Sequence, residues 1–291
     1  MVDKMNTIIR LEDIKSSLEG FGFGNGSRIM VHSSLSSFGW VEGGAAAVIK
    51  ALMKLVGPNG TILMPSFNHG EPFDSSGIYD PLATSCLNGR IPDTFWRMKG
   101  VYRSLNPTHP FAAWGKDAKR YTENHHLTLT MGEDSPLGLL ARDDGYQINI
   151  GTTHGATTAK HLAETIKRVP CLGYRTEEYP VRLPYGNIVY HRTWGWRERA
   201  CPLTDSGEYI ETEMETLKLQ KKGYIGRSTV TYFRLKDLLK VVTSILDDGY
   251  NGQPSCDNCR IRPRKVNSTC PSDWVEKKKS SDIISIGSLG D

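Results

Sequence analysis

Three stretches of the chain gather residue types that can do acid–base or nucleophilic chemistry. In the run from Gly151 to Glu164, a helix beginning near Thr157 would place Thr158, His161 and Glu164 at successive i, i+3 positions on one face, with Leu162 and Ile166 turned toward a core. An imidazole can accept a proton near neutral pH, a carboxylate can orient it, and a hydroxyl can donate to a developing oxyanion. The same spacing also suits a solvated helix face with Thr157 as its N-cap.

The second stretch, His32-Ser33-Ser34-Leu35-Ser36-Ser37-Phe38-Gly39, is followed by Gly43-Gly44 at an expected helix start. Small hydroxyl residues and glycines ahead of a helix N-terminus let backbone N–H groups approach phosphate oxygens, although an ordinary polar turn has the same composition. A P-loop is excluded, because no lysine follows the glycines. The third stretch runs from Arg103 through Ser104 and Pro107 to His109-Pro110, and its prolines would hold a cation and an imidazole in a restricted loop. Ser33 or Ser34 with a histidine would also suit a serine hydrolase, but the G-x-S-x-G elbow is missing around every candidate serine. Near the C-terminus, Cys256, Cys259 and Cys270 form a C-x2-C pair with a later cysteine. That set could hold zinc if Cys171, Cys201 or a histidine supplied the fourth ligand.

These residues need positioning elements, and the pattern supplies them. Met30-Val31 reads as the end of a buried strand that turns at His32 to Ser37. Ala46, Ile49, Leu52, Met53 and Val56 recur at helical spacing, and Gly57-Pro58-Asn59-Gly60 separates that helix from an apolar strand at Thr61 to Met64. A strand-helix-strand unit favours a parallel sheet. The stretch from Asn68 to Asn88 reads as a long surface loop flanking the site. Gln147 to Ile150 reads as another strand, handing over through a polar loop to the helix at Thr157 to Lys167. Tyr179 to Trp196 reads as a hairpin turning at Pro184-Tyr185-Gly186-Asn187. A charged helix at Ser206 to Lys221 and an amphipathic one carrying Leu238, Val242, Ile245 and Leu246 complete the ordered part.

The 291 residues and a formal charge of +4 describe an ordinary globular chain. The basic residues are too scattered for a nucleic-acid partner, no uncharged stretch is long enough for a membrane span, and no signal-peptide core is evident, so a cytoplasmic setting is expected. The domain reading is 1–250 for the main body, 251–276 for a cysteine-bearing segment and 277–291 for a disordered tail.

The motifs gain specificity from their order. Val31-His32-Ser33-Ser34-Leu35 with Gly43-Gly44, Gly60 to Phe67, Arg103-Ser104 with His109-Pro110, Ser135-Pro136, and Gly151 with His161-Leu162-Ala163-Glu164 together resemble the aminoglycoside 3-N-acetyltransferase family from about residue 8 to 248. The resemblance implies an α/β fold with a mixed central sheet flanked by helices, distinct from the Gcn5-related acetyltransferases. It implies acetyl-coenzyme A as co-substrate and direct transfer to an amine of a small molecule. Family position then assigns His32, Ser33, Ser34, Leu35, Ser36, Gly43, Gly44, Arg103, Ser104, His109 and Ser135 to the coenzyme. It makes His161 the general base, gives Thr158 the oxyanion, and leaves Glu164 to orient His161 or attract the substrate. A catalytically silent coenzyme-binding protein is the other reading that the same motifs allow. The run Ala156-Thr157-Thr158-Ala159-Lys160 departs from the family's usual Asn/Asp-Thr-Ser-Leu, so the acceptor is expected to be an aminoglycoside or some other amine-bearing metabolite.

Overall fold

In a computed structural model, the structure describes residues 8–68, 77–167, 169, 178–192, 201 and 203–248. Along the chain these form β1 (Ile8–Ile9), α1 (Leu11–Gly20), β2 (Arg28–Ser33), β3 (Trp40–Val41), α2 (Gly44–Val56), β4 (Thr61–Pro65), α3 (Arg90–Trp96), β5 (Tyr102–Arg103), β6 (Phe111–Gly115), α4 (Ala118–Thr122), α5 (Pro136–Arg142), β7 (Tyr146–Ile150), α6 (Ala159–Ile166), β8 (Glu178–Arg182), β9 (Ile188–Arg192), α7 (Glu208–Thr216), β10 (Gln220–Ile225), β11 (Ser228–Arg234) and α8 (Leu235–Asp248).

Seven strands make one mixed sheet in the order β10-β11-β7-β2-β4-β6-β5. The central β7, β2 and β4 are parallel, as the strand-helix-strand reading requires, while β6 and β11 flank them antiparallel. Strand alternation splits the core in two. Ile29, Val31, Ile62, Met64, Ile148 and Ile150 pack with α2 and α3 on one face, whereas Met30, Leu63, Phe111 and Phe233 pack with α5, α6 and α8 on the other. Both faces are therefore covered, the arrangement expected of buried parallel strands.

Several expectations shift. His32 and Ser33 lie inside β2, paired with Asn149 and Ile150, so the polar turn begins at Ser34. The helix expected at 206–221 ends at Thr216, because Lys218 adopts φ 56° and Gln220 already pairs with Phe233 in the β10–β11 hairpin. The helix expected from Thr157 starts at Ala159, and Ile166 is exposed rather than core-facing. The part of the 68–88 loop that is described is not all surface: Asn68, Tyr79, Thr84 and Cys86 are buried. The 179–196 hairpin is present as β8–β9, its residues past 192 lying outside the described set. Cys256, Cys259, Cys270 and the expected 251–276 and 277–291 segments also lie outside it. Among the described residues, no group of three or more His, Cys, Asp and Glu side chains could hold a metal ion, and no helix is long and apolar enough to cross a membrane.

Candidate active site

The carboxyl ends of β2, β4 and β7 open into a cleft of about 390 Å³, the position where parallel sheets generally bind ligands. Its walls include His32, Pro65, His109, Thr158, Lys160 and His161. Period-2 alternation places His32 on the Met30 face of β2, the same face that α6 covers, so the imidazole meets the helix start. Gln147 and Asn149 project from β7 on that face too. Their side-chain amides donate to Thr157 Oγ1 at 3.0 and 3.1 Å, which turns Thr157 into the sheet and fixes the start of α6. The solvated-face alternative, with Thr157 as N-cap, is thus not what the chain adopts. Lys160 is buried, and its ammonium donates to the Gly155 and Asp205 carbonyls at 2.7 and 3.0 Å, tying two more loops to the helix.

Glu164 is only 1% exposed, and it bridges two partners. One carboxylate oxygen stands 2.8 Å from His161 Nδ1, and the other accepts from Thr204 Oγ1 at 2.6 Å. An ionised carboxylate only accepts, so the imidazole hydrogen sits on Nδ1 and the lone pair on Nε2, on a ring that forms part of the cleft wall. Opposite it, burial pushes the His32 pKa down to about 3, with the nearby Lys160 charge adding to the effect, and His32 is neutral. Its Nε2 accepts the Thr158 backbone N–H at 3.4 Å. The Thr158 hydroxyl, 3.3 Å from the same nitrogen, is then able to rotate its hydrogen toward the cleft.

A second space of about 960 Å³ lies beside the first, walled by Ser34, Leu35, Ser36, Trp40, Gly43 and Gly44 among others. Ser33 and Asn88 belong to the walls of both, so the two spaces meet there. Ser33 Oγ is buried at this junction without a hydrogen-bond partner among the described residues, and Ser34 Oγ pairs with Ser36 Oγ. Neither serine carries the adjacent base that a nucleophilic serine needs, which removes the support for a hydrolase. Gly43 and Gly44 take φ 78° and 57°, a left-handed conformation open to glycine, and so bend the chain from β3 into α2.

The remaining sequence candidates have other work. Arg103 is held away from both walls: its guanidinium donates to the Pro81, Thr84 and Ser66 carbonyls and lies over the Trp96 ring at 4.3 Å. Ser104 bonds His125 Nδ1 and accepts the Phe111 N–H, and Ser135 caps α5 through Gly138 N–H. None of these three is among the described walls of the two spaces, whereas His109 does reach the cleft, its ring against Phe67. Sequence reasoning missed Thr204, Gln147, Asn149, Asn88 and Trp40. The alternating polar residues inside the apolar β7 run were the available signal for Gln147 and Asn149, and Thr204, forty positions from Glu164, had none.

A family model described as aminoglycoside 3-N-acetyltransferase matches residues 30–247. A prophage-derived aminoglycoside N(3')-acetyltransferase-like protein of Bacillus subtilis is 31% identical over 272 residues, covering 86% of each chain. A mutant of aminoglycoside acetyltransferase AAC(3)-IVa, solved in complex with a gentamicin, superposes with TM-score 0.70 at 27% identity, covering 84% of this chain and 90% of its own. The fold is shared as well with AAC-IIIb in its binary complex with CoASH, at TM-score 0.73 and 23% identity over 85% of this chain and 100% of that one. The chain belongs to the aminoglycoside 3-N-acetyltransferase family, and is an acyltransferase of the acetyl-coenzyme A-dependent kind.

Proposed function

We propose that the chain transfers acetyl from acetyl-coenzyme A directly to an amine of a small molecule, with His161 as general base. The observation that carries this reading is the Thr204–Glu164–His161 chain of hydrogen bonds, which leaves the Nε2 lone pair uncommitted to Glu164 on a ring in the wall of a cleft that adjoins a larger groove. The larger groove suits the nucleotide and pantetheine of the donor. The Ser33 Oγ left unpartnered at the junction by the described residues suits an amide of the pantetheine arm. The donor supplies a thioester carbonyl, the electrophile.

An ammonium cannot attack a carbonyl until it loses a proton, and His161 Nε2 removes it. As the new N–C bond forms and the C–S bond breaks, the nitrogen sheds a second proton. One of the two reprotonates the departing thiolate and the other leaves to solvent, so that His161 returns to its starting form. Glu164 stabilises the transient imidazolium, and the Thr158 hydroxyl donates to the oxyanion. Among the described residues no Asp or Glu side chain forms the cleft wall, while Lys160 does. That wall suits an amine of low charge better than a polycation. The gentamicin-bound relative supports a small-molecule amine as the acceptor class.

The test is incubation with acetyl-coenzyme A and a panel spanning aminoglycosides and simple mono- and diamines, followed by thiol release. Turnover with at least one amine is expected, and failure of coenzyme A to bind overturns the reading.

A further inference from the structure

The larger groove has one charged side chain in its described walls, Arg90, and no carboxylate. It also exposes two large apolar side chains, Trp40 at 67% and Leu87 at 54%. Trp40 owes its exposure to strand parity: β3 is two residues long, Val41 turns into the core, and the indole is left outward over the groove. Among the described residues, none makes a hydrogen bond or ion pair with the Arg90 guanidinium at the start of α3, and the first turn of α2 on the same wall carries no acidic residue. A flat aromatic platform and an uncommitted guanidinium on the walls of one groove fit a purine joined to phosphate.

We propose that Trp40 and Arg90 form the nucleotide subsite of the donor, Trp40 stacking on the adenine and Arg90 pairing with the 3'-phosphate of the ribose. This rests on the reading that the groove receives coenzyme A. Arg90 then makes the enzyme discriminate coenzyme A from its dephospho form, and Trp40 contributes affinity with little regard to that phosphate. Neither residue is close to the His161 cluster in the hydrogen-bond network, so both act on donor binding rather than on the transfer step.

Calorimetric titration of the full chain with coenzyme A, dephospho-coenzyme A and adenosine 3',5'-bisphosphate tests both roles, in the native protein and in Trp40→Ala, Trp40→Phe and Arg90→Gln. Loss of a stacked base weakens binding roughly 5- to 100-fold. Trp40→Ala is therefore expected to weaken coenzyme A and adenosine 3',5'-bisphosphate by a common factor in that range, with most of it restored in Trp40→Phe. Arg90→Gln is expected to abolish the preference for coenzyme A over dephospho-coenzyme A. Unchanged affinity in Trp40→Ala, or a loss for coenzyme A that the bisphosphate does not share, overturns the stacking role. An Arg90→Gln loss of equal size for both coenzymes overturns the 3'-phosphate assignment. If the native protein binds none of the three, the groove assignment itself fails.

Discussion

Two sets of histidines in this fold have opposite surroundings. The His161 ring is gripped on one side by a carboxylate that is itself gripped by Thr204, and the residue forms part of a cleft wall. His126 and His191 instead pack against each other with ring centroids 4.5 Å apart and planes tilted by 38°, joining the turn after α4 to the β8–β9 hairpin. Both nitrogens of His126 and Nε2 of His191 are buried without a hydrogen-bond partner among the described residues. Desolvation pushes the pKa of His126 down to about 3, with the neighbouring His191 and His125 adding to it, and that of His191 to about 4. Burial alone makes a histidine a neutral packing residue. A buried carboxylate on one nitrogen and a cleft beside the ring are the surroundings that the proposed base has and the buried pair lacks.

The contrast is broken most severely at His161. Replacement by Ala is expected to lower kcat about 10²–10⁴-fold, the usual contribution of a positioned base, with coenzyme A binding retained; thiol release and calorimetry read the two separately. Glu164→Gln keeps the shape and removes the charge. A hydrogen bond to a charged group contributes about 1.5–3 kcal/mol, so a roughly 10- to 100-fold fall in kcat is expected, larger than any change in KM for the donor.

The His126–His191 pair answers to pH instead of to substrate. Its folded pKa values of about 3 and 4 lie below the ordinary 6.5, so from pH 6.5 down toward 4 the unfolded chain binds protons that the folded one does not. Stability therefore falls with pH across that window, by up to about 1.4 kcal/mol per pH unit for each such histidine. His126→Phe should flatten this slope, seen as a smaller loss in urea midpoint between about pH 7 and 5; an unchanged slope would contradict the account. The smallest effect belongs to Thr204→Val, which removes one hydrogen bond to Glu164 and should cost about 2- to 10-fold in kcat.

Much of the framework was legible in the sequence. The β2, α2 and β4 unit follows from apolar runs punctuated by Gly43-Gly44 and Gly57 to Gly60, and the Thr158, His161 and Glu164 stripe follows from helical spacing. Strand β10 was hidden because Lys221, Lys222 and Tyr224 face solvent at the sheet edge, so the run from Gln220 to Ile225 shows no apolar alternation and reads as the tail of a charged helix. Whether a polar residue meets a ligand or a loop depends on long-range packing. Spacing therefore did not separate Arg103, committed to three carbonyls, from His109, which reaches the cleft. Thr204 meets Glu164 only because the loop before α7 returns over α6, and local pattern carries no trace of that.

The role of His161 is tested most directly by the pH dependence of thiol release in the native enzyme and in His161→Ala, with an acceptor amine of known pKa at saturating donor. A base is needed only while the acceptor is protonated. The deficit of His161→Ala should be greatest near neutral pH and shrink as pH approaches the pKa of the amine. A deficit that stays constant across that range would show that His161 does something other than take the proton.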